Sequence, residues 1–322
     1  MNMTGEQNMK TNNLRKCAIV GCGNVGATIA YTLMGTGLFS EMVLIDIDKK
    51  RAEGEAADLC HGLPFLTPME IIAGDYSDTA GCSLIIITAG ANQKPGQTRL
   101  DLVRTNAMIT KSIVNEISRY NTEAILLMVT NPVDILTYEA LKYSGFPRER
   151  VIGSGTVLDT ARLKQLIGSH LGVDSRNVHA FIIGEHGDSE LPVWNSANVS
   201  GIDLDAFGED PDVLHALFEQ AKNSAYQIIS AKGATYYAIA LAVRKIVSAI
   251  VRDDDTILPV STLMTGQYGL EDICLSIPCV VGKNGIHRVM EIPLSASEEK
   301  QLIESAKALR TVLDDLNAEI LI

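Results

Sequence analysis

From Cys17 onward, short unbroken apolar runs alternate with segments of helix length, and this alternation constrains the fold more than any other feature. Cys17–Val20, Met42–Ile45, Ile71–Ala73, Leu84–Thr88 and Ala124–Val129 read as strands, with helices expected over Gly26–Met34, Lys49–Leu59 and about Leu100–Arg119. A strand with one wet face alternates apolar and polar residues. These runs do not alternate, so both of their faces are covered. Doubly covered strands separated by helices predict a parallel, doubly wound α/β sheet with right-handed connections.

The alternation loosens near Val151–Gly155, which divides the 322 residues into about two domains' worth of chain. We expect a polar segment over residues 1–16, a Rossmann-type domain over 17–153 and an α+β domain over 154–322. In the second part Leu158–Leu171 reads as a helix and Val178–Ile183 as a strand. Pro211–Val251 is one helix-compatible stretch, and short β-rich pieces follow between Val260 and Pro293. Ser297–Asn317 reads as an amphipathic helix, with Glu298 and Glu299 placed to favour its dipole.

The net charge is −12, from 27 Lys and Arg against 39 Asp and Glu. Phosphate-backbone binding runs on surplus cations, so a nucleic-acid partner is not expected. No apolar stretch is long enough to span a bilayer, so no membrane partner is expected. Residues 1–16 hold no apolar signal core, and the six cysteines include no Cys-x-x-Cys pair. A reducing cytoplasmic location with mostly buried thiols fits.

Gly21-Cys-Gly23-Asn-Val-Gly26 is a G-x-G-x-x-G between an apolar strand and a helix. Three glycines often serve only a turn. Here Asp46 ends the next strand 20 residues after Gly26, the spacing of a carboxylate that grips an adenosine ribose. Gly21 permits the turn, Gly23 lets backbone approach a pyrophosphate, and Gly26 lets helix and strand pack closely. The helix N-terminus offers free N–H groups to the phosphates. A carboxylate at the ribose favours NAD over NADP. Lys49, Lys50 and Arg51 nearby read as a solvated helix face.

Three further constellations follow strands. Ala91–Leu100 carries Gln93 and Arg99 on a Pro-Gly loop that could close over a ligand or be an ordinary exposed loop. Asn131, before Pro132, is either a ligand contact or a turn residue. His186 lies in Gly-Glu-His-Gly-Asp, and needs a carboxylate to fix its tautomer and raise its basicity. Asp159 and Arg162 share a helix face three residues apart. One could orient His186 and the other hold a substrate carboxylate, or they form a surface pair of little worth. No metal-ligand spacing and no Gly-x-Ser-x-Gly occur, so neither a metal site nor a serine nucleophile is expected.

GCGNVG, ANQKPGQTRLDLV, TNPVDIL, GSGTVLDTARLK, IIGEHGDSELPVW and KGATYYAIA occur in this order across nearly the whole chain. On these residues the sequence resembles the L-lactate dehydrogenases of the lactate/malate dehydrogenase superfamily, especially the bacterial type. The resemblance implies reversible NADH-dependent reduction of pyruvate to L-lactate by a homotetramer in glycolytic fermentation. It implies His186 as proton donor and acceptor, Asp159 as its orienting carboxylate and Arg99 as the group that polarises the substrate carbonyl. Arg162 then pairs with the substrate carboxylate, Asn131 bonds near the carbonyl and Thr235 lines the pocket. Gly21, Gly23, Val25, Gly26, Asp46, Arg51, Gly90 and Asn131 contact the cofactor.

Malate dehydrogenases of the superfamily carry an arginine where this chain has Gln93, which leaves a second substrate carboxylate unpaired and favours pyruvate. Many bacterial relatives bind fructose bisphosphate as activator through an arginine and a histidine. The matching residues here are Lys164 and His179, a point charge in place of a fork. Dehydrogenases for malate or a bulkier 2-hydroxy acid, and a non-catalytic NAD-binding protein, are the competing readings. An assay of NADH consumption with several 2-oxo acids separates them.

Overall fold

The computed structural model describes residues 13–92, 96 and 98–320. The first part of the chain forms β1 (Asn13–Val20), α1 (Asn24–Met34), β2 (Glu41–Ile45), α2 (Lys49–Gly62), β3 (Glu70–Ala73) and β4 (Cys82–Ile87). There follow α3 (Arg99–Ser118), β5 (Ile125–Met128), α4 (Val133–Ser144) and β6 (Val151–Gly153). The second part forms α5 (Val157–Leu171), β7 (Val178–Ile183), β8 (Leu191–Val199), β9 (Ile202–Asp203), α6 (Pro211–Lys232) and α7 (Tyr237–Arg252). It ends in β10 (Thr256–Thr265), β11 (Glu271–Gly282), β12 (Gly285–Val289) and α8 (Ala296–Ile320).

The first six strands pair in parallel in the order β3-β2-β1-β4-β5-β6. Connections reverse direction between β1 and β4. Right-handed crossovers therefore put α1 and α2 on one face and α3 and α4 on the other. The unbroken apolar strands need both layers: Leu84–Ile87 are all 0% exposed. α1 packs on α7, while α3, α4 and α8 pack together.

The sheet does not stop where the sequence pattern loosens. β10 joins β6 antiparallel at Ser261 and Gly153, and β11 and β12 extend the sheet to nine strands. One large core follows this sheet through both parts of the chain. A smaller core, including Leu163, Ile167, Ile182 and Phe218, lies between α5, α6 and the three-stranded sheet β7-β8-β9.

Three local expectations change. The helical stretch Pro211–Val251 is two helices, because Gly233 caps α6 in a left-handed conformation (φ 86°). The pieces after Val260 are a long antiparallel pair, β10 with β11. Residues 13–16 belong to β1, with Asn13 registered opposite Cys82, while residues 1–12 of the expected polar segment lie outside the described residues. All six cysteines are free and five are buried. Burial pushes the Cys22 and Cys82 thiols up to about 12, so they are inert at neutral pH.

Glu298 does more than favour a helix dipole. Its Oε2 accepts from the Ser295 N–H (2.7 Å) and hydroxyl (2.9 Å), and Ser295 Oγ accepts from the Glu298 N–H (3.3 Å). Its Oε1 accepts from the Trp194 and Asn195 N–H groups of β8 (2.7 and 3.1 Å). A buried carboxylate thus caps α8 and fastens it to the smaller sheet. Glu298→Ala should cost about 2 kcal/mol, combining a lost cap with stranded amides. Urea denaturation measures this, and an unchanged midpoint would refute the assignment.

Candidate active site

At the carboxyl end of β1 the chain turns through Gly21, whose φ is +102°. A Cβ there would lie 2.5 Å from the Ala89 nitrogen. At Gly26 a Cβ would lie 1.8 Å from the Gly21 carbonyl oxygen, so only glycine lets α1 start so close to the turn. A Cβ at Gly90 would lie 2.3 Å from Thr130 Cγ2. Gly23 is the contrast: a Cβ there meets nothing within 4 Å. Among the described residues the space before α1 is open, and no side chain caps the helix. Its free N–H groups and open approach fit a pyrophosphate. Asp46, at the end of β2, accepts from the Cys22 N–H (2.6 Å) and Asp48 N–H (2.9 Å), which aims its carboxylate at this loop. Lys49 turns away to pair with Asp75 (2.8 Å), and Arg51 is exposed on α2. Val25 lies half-buried in the first turn of α1.

Beyond the ends of the same sheet lies a cavity of about 450 Å³. It is lined by Arg99, Asn131, Asp159, Arg162, His186, Asp188 and Glu190 together with Lys222, Tyr226 and Ile229 of α6. His186 Nδ1 lies 2.6 Å from Asp159 Oδ2, and Arg162 donates to Asp159 Oδ1 at 2.7 Å. The Asp159 side chain is 3% exposed and that of His186 25%, so the imidazole fronts the cavity with its carboxylate behind it. With Nδ1 committed to Asp159, Nε2 is the nitrogen left for a ligand.

The loop bearing His186 is pinned from three directions. Gly184 (φ +90°) exchanges two backbone hydrogen bonds with Ser276 of β11, each 2.9 Å. The Glu185 N–H donates to Ser305 Oγ of α8 (2.8 Å), and the His186 N–H to Asp134 Oδ2 of α4 (2.7 Å).

The electrostatics follow from burial and pairing. Burial alone would lower the His186 pKa. The Asp159 charge and hydrogen bond, with Asp134 and Glu190 nearby, outweigh it and push His186 up to about 9. Burial works against the Asp159 carboxylate too, but His186 and then Arg162 hold it below the usual range. Asp134 is pushed up to about 6, mainly by burial. Glu190 is pushed up to about 8, by burial and then by Asp159.

Arg99 opens α3 and is 66% exposed. Its guanidinium is parked on the loop after β7, 2.8 Å from Asp188 and 3.4 Å from Glu185. Asn131 lines the cavity, and its carbonyl accepts from Asn106 Nδ2 (3.0 Å). Thr235 sits between α6 and α7 and is not among the residues lining this cavity. Gln93 lies outside the described residues. Lys164 is half-buried on α5, its pKa lowered by burial and then by Lys245, and His179 is exposed on β7.

Sequence reasoning missed Asp134, Asn106 and Glu190. Asn106, 2% exposed, also accepts from the Ala91 N–H (2.7 Å) and so ties together the loops after β4 and β5. Among the described residues two trios of metal-type ligands approach within 4.8 Å, Asp159/His186/Glu190 and Asp253/Asp255/His287. Arg162 and His186 engage Asp159 in the first. Lys283 and His287 engage Asp253 and Asp255 in the second.

A Rossmann sheet with an uncapped glycine-loop helix, beside a His–Asp–Arg cavity, defines a dinucleotide-dependent dehydrogenase. The family model for the NAD binding domain of lactate/malate dehydrogenase matches residues 15–153. That for the alpha/beta C-terminal domain matches residues 156–320. The chain belongs to the lactate/malate dehydrogenase family, and its cofactor is NAD. It is 54% identical over 310 residues to an L-lactate dehydrogenase of Acetivibrio thermocellus, covering 94% of this chain and 98% of that one. A crystal structure of a lactate dehydrogenase from a Medee basin deep-sea metagenome superposes with TM-score 0.92 at 44% identity, covering 96% and 100%. The minor L-lactate dehydrogenase of Enterococcus mundtii gives 0.91 at 42%, covering 94% and 98%.

Gly26→Ala should weaken NADH binding at least about tenfold, the equivalent of 1.4 kcal/mol, because the methyl displaces the Gly21 carbonyl. Fluorescence titration with NADH measures it, and an unchanged Kd would sink the reading of this loop.

Proposed function

We propose that this protein is an L-lactate dehydrogenase interconverting pyruvate and L-lactate. The observation that carries this is the buried Asp159 carboxylate shared by His186 and Arg162 in one cavity. The relatives named above, similar over nearly the whole chain, support it.

NAD, when bound, supplies or accepts the hydride. Gly21, Gly23, Val25, Gly26, Asp46, Arg51, Gly90 and Asn131 hold it. Arg162 takes the substrate carboxylate on the part of its fork that Asp159 leaves free. Reducing the keto group takes one hydride and one proton. His186 gives the proton from Nε2, and Asp159 stabilises the imidazolium beforehand. In the reverse direction neutral His186 accepts the proton at the same atom. Arg99 leaves Asp188 and Glu185 to stabilise negative charge growing on the substrate oxygen. Asn131 bonds near that oxygen, and Thr235 lines the pocket in the assembled site.

The resemblance also supports a cytoplasmic homotetramer working in glycolytic fermentation. Exposed Tyr31, Phe65, Tyr237 and Leu241, on and beside α1, α2 and α7, offer apolar surface for subunit contact. Among the described residues no helix is long and apolar enough to cross a membrane. Lys164 and His179 remain the proposed site for fructose bisphosphate, and a flat activity response to it at low pyruvate would remove that role.

The decisive assay follows NADH consumption with pyruvate, oxaloacetate and branched 2-oxo acids. Pyruvate should give the highest kcat/KM. NADH binding without turnover of any of them would leave a non-catalytic binding protein. Gln93→Arg should move preference toward oxaloacetate, and unchanged kcat/KM ratios would refute the role of that position. Pyruvate reduction needs protonated His186, whose pKa is raised to about 9. At saturating pyruvate the rate should therefore hold at neutral pH and fall as pH rises through about 9, and a rate that climbs there would contradict His186 as donor.

A further inference from the structure

Glu190 immediately precedes β8 and has no part in the mechanism above. It is 7% exposed, yet it lines the same cavity as His186 and Arg162. Its Oε1 is buried without a hydrogen-bond partner among the described residues. Ligating atoms of Glu190, Asp159 and His186 all lie within 4.8 Å of one another. Two carboxylates this close do not both ionise readily. Asp159 has both His186 and Arg162 on its oxygens, so it keeps the charge, and Glu190 is the one that neutralises.

The surrounding cations offset this only in part: His186, Lys222 and Arg162 favour the Glu190 anion, but burial and Asp159 outweigh them. From α6, the Lys222 ammonium donates to the Asp188 carbonyl (2.6 Å), and Tyr226 donates to the Asp188 carboxylate (3.2 Å). From α3, Arg99 is held by Asp188 and Glu185. From α4, buried Asp134 lies behind the His186 amide and adds a further carboxylate. From α5 come Asp159 and Arg162 themselves. A substrate carboxylate on Arg162 would be one more negative group in the cavity.

We propose that Glu190 takes up a proton when a substrate carboxylate enters the cavity, coupling anion binding to pH separately from the proton carried by His186. This rests on the reading of the cavity as a 2-oxo acid site. Glu190 is a positioning residue here: neutral, it lets the anion sit on Arg162, and ionised, it opposes it. Burial and the neighbouring Asp159 place its titration near 8, below that of His186 near 9. Between these values the free enzyme holds mostly protonated His186 and mostly ionised Glu190, so the part of the proton uptake that is lost when Glu190 is replaced reports Glu190.

The test is calorimetry of oxamate, a pyruvate-shaped anion, binding to the enzyme–NADH complex in that pH window. Two buffers of different ionisation enthalpy give the protons taken up. The wild type should take up most of one proton per oxamate, and Glu190→Gln should lose most of that uptake while still binding NADH. Equal uptake in the variant overturns the proposal. A second measurement needs no variant: in the wild type, oxamate should bring up the infrared band of a protonated carboxyl, and its absence overturns the proposal as well. An enzyme that neither binds oxamate nor reduces pyruvate overturns instead the reading of the cavity beneath it.

Discussion

A single buried carboxylate, Asp159, organises the catalytic half of this molecule. It is nearly inaccessible, and its two oxygens face two cations that arrive by different routes. Arg162 comes one helical turn along α5, so local geometry supplies it. His186 comes from the loop after β7 and must be carried there by the fold. Removing one partner of such a buried pair costs about 3–5 kcal/mol, because the other charge is left stranded. That penalty explains why the loop is tied at once to β11, α4 and α8. The ties keep the imidazole where the carboxylate needs it, and the proton chemistry follows.

The charge distribution shows the same economy. The chain carries a net −12, yet cations gather at the surfaces proposed to bind cofactor and substrate. Arg99, Arg162 and Lys222 line one cavity, and an uncapped helix end fronts the glycine loop. Close cations and aligned N–H groups act over a few ångströms, whereas the distributed surface charge is screened beyond about 10 Å. In the proposed function these local cations take small anions, while the overall charge disfavours polyanions.

What could be read in the sequence were the features whose partners are near in the chain or bound to a backbone pattern. The sheet strands were legible because two-sided burial removes polar residues from them. Gly26 and Asp46 were legible from their spacing, and Asp159 with Arg162 from one helical turn. Asp134 was not: its partner, the His186 amide, is 52 residues away, and an aspartate in a first turn looks like ordinary dipole support. Asn106 resembles any polar helix residue until the loops it joins are seen. α4 was hidden because Asn131-Pro132 reads as a turn and the helix begins directly after it. Gly233 could have signalled the break between α6 and α7, since a helix-ending glycine marks such a site. Long-range contacts decide the rest, and no spacing rule reports them.

The nine-stranded sheet has a consequence for modularity. The two matched family segments meet at residues 153–156, where one would cut the chain. Yet β6 is covered on its far edge by β10, and α1 of the first segment packs on α7 of the second. Excision of residues 15–153 would bare the edge of β6 and uncover the apolar flank of α1, inviting edge-to-edge association. The boundary between the matched segments is therefore not a boundary of the sheet, which continues across it. Recombining halves from different relatives would have to preserve a shared strand pairing as well as two active-site surfaces.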